Sequence, residues 1–265
     1  MKRAITHTRE HLGGNRRMII GRSIASAALG TLPVPGVDEW LAAKIARQAI
    51  ARIADSHGVD IDDEAVRAIA DGPAEPPQWA ELAGGGLAYR LASRGWRRLL
   101  LAYFIARRAR AAAHTFTVAT LFDHYCARLH VGLGLDRVAG AELRAVIDRA
   151  IAGTPGGLSR KVLERGAVAA FRTSLRAPMR AADTISRGAV TRLLDRRTGD
   201  ALPAEEVDTA IERELRSKSG PLARAAAAVE LQFAAEENPY LDRLLETFEE
   251  LWRSHPDRSR EPDPT

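Results

Sequence analysis

The stretch best equipped for chemistry is Asp123-His124-Tyr125-Cys126-Ala127-Arg128-Leu129-His130. On a helix, Asp123, Cys126 and His130 stand at i, i+3 and i+7 and share one face. A carboxylate, a thiol and an imidazole placed in this way can offer three ligands to a tetrahedral ion. The same face can present Cys126 as a nucleophile if the fold brings in a base and an orienting group. A plainer outcome for the same spacing is a core helix in which Phe122, Cys126 and Leu129 pack inward. The His and Asp residues then lie near the surface or are capped by hydrogen bonds. We adopt this plainer outcome, with no metal and no cofactor expected; a metal- or thiol-dependent enzyme centred on Asp123, Cys126 and His130 is the alternative.

Other patterns fall short of a recognised chemistry. Asp60, Asp62, Asp63 and Glu64 lack the register and the turn glycine of a calcium loop, and read instead as acids favoured at a helix start. Gly84-Gly85-Gly86 has no preceding strand and no following Lys-Ser/Thr, both of which a phosphate loop requires. No serine-hydrolase elbow, dinucleotide fingerprint or zincin helix is present. The reading therefore leans away from an enzyme.

The strongest charge pattern lies between Leu158 and Arg197, which hold ten basic and three acidic residues. As a helix, this run would bring Lys161, Arg165, Arg172, Arg176, Arg180 and Arg187 within an arc of roughly 100°. Pro178 would kink such a helix without ending it. A stripe of this kind fits an anionic membrane surface, a nucleic-acid backbone or an acidic protein face. It can also be a solvated face, or pair within the chain with the acidic 236–250 region. No aromatic residue interleaves the basic positions, so a platform for stacking single-stranded bases is not expected and nucleic acid ranks last.

The whole chain repeats this asymmetry. Residues 1–200 carry 31 Lys and Arg against 19 Asp and Glu, a balance of +12, whereas residues 201–265 carry 8 against 15, a balance of −7. The protein reads as a basic body with an acidic tail. Cys126 is the single cysteine, which excludes an intrachain disulfide and fits a reducing compartment. The first twenty residues are broken by His7, Arg9, Glu10, His11, Arg16 and Arg17 and do not read as a secretory signal. The longest apolar run, Leu99 to Ala106, is flanked by arginines and is far short of the ~20 residues needed to cross a bilayer. A cytoplasmic protein is expected, with the inner face of the membrane as a second location.

These residues need elements to position them, and the pattern is helical throughout. Apolar positions recur at three- and four-residue steps from Arg16 and again from Val37, and no alternating run bounded by hairpin turns suggests a strand. Between the two runs, Leu32, Pro33, Val34, Pro35 and Gly36 form a Pro-x-Pro-Gly elbow, since each proline forbids helix and Gly36 allows reversal. The expectation is an all-α, multi-helix bundle built on an N-terminal helical hairpin. Gly21, Ala25 and Ala28 leave a small-residue face on the first helix, suited to close approach by a neighbour. Asp62 and Asp136 are set to cap short helices, with stops at His57-Gly58 and Asp71-Gly72. The organisation expected is a flexible leader at 1–15, the hairpin at 16–72, a bundle at 78–253 that can be continuous with it, and a disordered tail at 254–265.

Residues 21–63 carry a small-residue helix, Leu-Pro-Val-Pro-Gly-Val-Asp, a long Ala/Arg helix and His-Gly-Val-Asp-Ile-Asp-Asp-Glu. This stretch resembles the YcjF-like bacterial helical proteins, and the EcsC-like proteins have a similar elbow. The resemblance implies membrane association and a small GTPase as partner, and it assigns no catalytic residues. Taken with the charge pattern, the expected function is a non-enzymatic module that docks on a protein partner or an anionic membrane surface. Its expected contacts are the elbow (Leu32, Pro33, Val34, Pro35, Gly36) and the stripe Arg165, Arg172, Arg176, Arg180 and Arg187.

Overall fold

The computed structural model describes residues 10–29, 37–72, 94–132, 134–154, 204–217 and 239–255, with isolated positions between 222 and 230. Over these residues the chain is all-α. A 3-10 turn at Glu10–Leu12 leads into α1 (Gly13–Leu29), α2 (Val37–His57), α3 (Asp63–Asp71), α4 (Arg94–Arg128), α5 (Arg137–Gly153), α6 (Ala204–Arg216) and α7 (Pro239–Arg253). The elbow Leu32, Pro33, Val34, Pro35 and Gly36, the Gly84–Gly86 run, and the stripe Arg165, Arg172, Arg176, Arg180 and Arg187 lie outside the described residues.

The helix ends follow from local chemistry. Asp62, in extended geometry, accepts the Ala65 N–H at 2.6 Å and starts α3, with Asp63 and Glu64 in the first turn where the helix dipole favours them. Asp136 does the same for α5 through the Ala139 N–H at 2.8 Å. The two capping segments are tied together: Leu135 N–H donates to the Asp60 carbonyl at 2.8 Å, and Asp62 N–H to the Leu135 carbonyl at 3.1 Å. The result is a single parallel bridge between Ile61 and Leu135, from which α3 and α5 start side by side. Gly72 closes α3 at φ 67°, a left-handed conformation that side chains other than glycine resist.

Helices α1 and α2 lie antiparallel. Asn15 donates to Ser56 Oγ at 2.7 Å near one end of the pair, and Ser26 Oγ donates to the Ala42 carbonyl at 3.1 Å near the other. The small-residue face of α1 is used as its composition suggests, because a Cβ at Gly21 would overlap the Leu215 methyl groups of α6. Of the leader expected at 1–15, only residues 10–15 lie among the described residues. Residues 10–15 are helical, and the stretch is held against the body by buried Leu12 and by the hydrogen bonds of His11 and Asn15.

The centre of the fold is α4. Between Ala112 and Cys126 it is buried on nearly every side, through Phe116, Thr117, Val118, Leu121, Phe122 and Tyr125 among others. An element enclosed all round has no polar face to show, which is why the segment lacks clear amphipathic periodicity. It packs against α1, α2, α3, α5, α7 and the 3-10 turn. Helix α6 packs on the α1–α2 pair, and α7 packs on α5 and α4, burying Tyr240, Leu241, Leu244, Leu245 and Phe248. Among the described residues, no helix is long and apolar enough to cross a membrane.

Candidate functional site

Burial along α4 places two charged-type residues, Asp123 and His124, at 0% exposure, and both are bound by side chains from distant parts of the chain. Asp123 Oδ1 accepts from Asn15 Nδ2 of α1 at 2.7 Å and stands 2.8 Å from His57 Nε2 at the end of α2. Its Oδ2 is buried without a hydrogen-bond partner among the described residues. His124 lies between two partners: its Nδ1 is 3.0 Å from His11 Nε2 in the 3-10 turn, and its Nε2 is 3.0 Å from Glu249 Oε1 of α7. Arg253, one turn on, also binds Glu249. Three histidines, two carboxylates and an amide thus meet where the start of the chain, α2, α4 and α7 converge.

The electrostatics of the cluster follow from burial. Desolvation lowers His11 to about 4, helped by the neighbouring His124, Arg128 and His57 and opposed by Asp123. Desolvation also lowers His124, although Glu249 partly restores it. Where Asp123 accepts from His57 Nε2, that tautomer leaves His57 Nδ1 as its proton-accepting atom, which is the orienting arrangement of a general base. The adjacent hydroxyl does not complete a nucleophilic pair. Ser56 Oγ donates to the Ile53 carbonyl at 2.7 Å and accepts from Asn15, so its proton is held by its own helix.

The ligand face that the alternative reading would require on α4 is not assembled among the described residues. Asp123 is engaged by Asn15 and His57. Cys126 is buried, and its thiol is pushed upward by burial and by Asp123, so the thiolate needed of a nucleophile or metal ligand is disfavoured. His130 lies at the helix end with Nδ1 3.3 Å from the Tyr125 hydroxyl, and burial lowers its pKa. Among the described residues, no group of three or more His, Cys, Asp or Glu side chains is placed to hold a metal ion. Phe122, Cys126 and Leu129 pack in the core, and of the two placements the plainer sequence reading offered for the Asp and His residues, Asp123 and His124 show the hydrogen-bonded one, at full burial.

A second polar centre joins α6 to the α1–α2 pair. Arg22 is wholly buried; it binds Asp208, with Glu212 at 3.6 Å, and its Nε has no hydrogen-bond partner among the described residues. Arg52, from α2, donates to Asp208 at 2.6 Å and lies 2.5 Å from Glu212. Burial raises the Asp208 carboxyl, yet the hydrogen bonds and charges of Arg22 and Arg52 outweigh it and leave the group below the usual carboxylate range. Sequence reasoning missed Arg22, although an arginine between Gly21 and Ala25 on a small-residue face was the available signal. It also missed His11, Asn15, His57 and Glu249, whose partners stand far away in the chain.

An open groove of about 710 Å³ runs between α3 and α5, lined by Glu64, Arg67, Asp71, Arg137, Arg144 and Asp148. Three of these six charged residues have internal partners. Arg144 binds Asp148 at 2.9 Å and the Ile69 carbonyl at 2.6 Å, where it caps the end of α3, while Arg47 holds Asp71 at 2.9 Å. Compared with family models, curated proteins and solved structures, the chain matches none.

Proposed function

We propose that this protein is a non-enzymatic helical interaction module that docks through the basic run at 158–197 on an anionic surface at the inner face of the membrane. The observation that carries the reading is where the acidic tail spends its charge. Asp208 and Glu212 are committed to Arg22 and Arg52, and Glu249 to His124 and Arg253. Each of these three tail carboxylates has a basic partner other than the arginine stripe among the described residues. The buried, thiol-form Cys126 weighs against the thiol-enzyme alternative. A small GTPase, as the resemblance of residues 21–63 implies, would be a protein partner presented on the same surface.

The test is co-sedimentation of the full chain with vesicles of neutral lipid and of neutral lipid mixed with anionic lipid, at low and moderate salt. The expected result is binding to the anionic vesicles alone, weakened by salt and reduced at least tenfold in an Arg172→Gln/Arg176→Gln/Arg180→Gln variant. Equal binding to both lipids, no binding to either, or an unaffected variant overturns the membrane reading.

A further inference from the structure

The His11–His124–Glu249 chain has a proton capacity set by its geometry. Glu249 accepts, so His124 Nε2 carries a hydrogen. With both rings neutral, His11 Nε2–H donates to the bare His124 Nδ1 across 3.0 Å. A single added proton is also accommodated: His124 becomes the cation, donates from both nitrogens, and His11 accepts. A second proton is not. Both facing nitrogens would then carry hydrogens, and two imidazolium rings would stand with centroids 5.1 Å apart.

We propose that His11 and His124 form an acid-released latch that holds the start of the chain, the 3-10 turn and the first turn of α1, against α4 and α7. The groups facing the pair come from every element packed on it. They are His57 from α2, Asp123 and Arg128 from α4, and Glu249 from α7 with Arg253 bound to it. Arg128 and His57 oppose added positive charge at His11, while Asp123 favours it; Asn15 and Ser56 are uncharged. Among the described residues Leu12 is the one apolar anchor of the 3-10 turn and Asn15 the polar tie that follows it, so loss of the His–His hydrogen bond removes one of three holds on this segment. His11, whose depressed pKa of about 4 lies well below that of a free imidazole at 6.5, resists the second proton in the closed state. Acid therefore favours the open state, in which His11 is released to solvent and free to take up its proton. The Arg22–Asp208 clasp behaves differently. Its carboxyl lies below the usual range, so the clasp persists through the pH window in which the latch opens.

Hydrogen exchange on the full chain at pH 7.5 and pH 5, corrected for intrinsic rates, reads this directly. The expected result is at least a tenfold loss of protection over residues 11–18 at pH 5, with α6 unchanged. In His11→Gln, whose amide reaches the Nε2 position without titrating, protection is the same at both values. Unchanged protection of the wild type, an equal loss in His11→Gln, or parallel loss in α6 overturns the latch. If His11→Gln does not fold, an NMR titration of the wild-type imidazoles decides: two rings that both titrate near 6.5 overturn it, and a ring that remains neutral to well below that value until the segment opens supports it.

Discussion

Replacing Asp208 with alanine leaves the Arg22 guanidinium in a site with no exposure and removes the one carboxylate that hydrogen-bonds it. Removing one partner of a buried ion pair costs ~3–5 kcal/mol. Glu212 remains 3.6 Å from Arg22 and compensates in part, which brings the expected cost to about 3 kcal/mol. The reverse change, Arg22→Met, fills similar volume and leaves Asp208 paired with Arg52, a partly exposed group, so about 1 kcal/mol is expected. The double variant holds no uncompensated buried charge and should be more stable than Asp208→Ala alone. Urea unfolding followed by helical circular dichroism measures all three. With a slope of ~2 kcal/mol/M, Asp208→Ala should move the midpoint by roughly 1.5 M. A shift under roughly 0.5 M, or a double variant as costly as the two single changes added, would refute the reasoning.

The His11 pKa is depressed in the folded state, so the stability it contributes is complete above the unfolded value of 6.5 and is lost as pH falls toward 4. After discounting for its partial exposure, the loss is roughly 1–2 kcal/mol and should vanish in His11→Gln, as read by urea midpoints across that range. Cys126 should react with a thiol reagent at pH 8 at least ~1,000-fold more slowly in the native protein than in urea, because its thiol is buried and raised; labelling within minutes would contradict this placement. Asp62→Ala and Asp136→Ala should each cost about 1 kcal/mol through loss of a helix cap, and a null effect of either would show that the cap bond is not formed in solution.

How far the fold could be read from sequence depended on how local each determinant was. The caps at Asp62 and Asp136, the stop at Gly72 and the start of α7 at Pro239 are set by neighbours within four residues, and all four are where their chemistry places them. The small-residue face of α1 announced a close neighbour without naming it, because nothing in Gly21 points to Leu215. The polar centres were hidden for a related reason. His57 and Asp123 are 66 positions apart, Arg22 and Asp208 186, and His124 and Glu249 125, so each residue alone looks like a surface group. The i, i+3, i+7 pattern of Asp123, Cys126 and His130 is a true helical register, but enclosure of α4 from several sides gave each side chain its own environment. The 10–15 segment shows the same point: Leu12 finds its burial against elements far along the chain.

The proposed function depends most heavily on Asp208 and Glu212 of α6 being bound to Arg22 and Arg52, and the side-chain carboxyl titration of Asp208 by carbon-13 NMR measures that most directly. The account requires a midpoint below the ordinary 3.8, held there by the two guanidinium groups. A midpoint at or above 3.8 in the folded protein would mean that Asp208 is not clasped by the arginines, and the assignment of the acidic tail would fall with it.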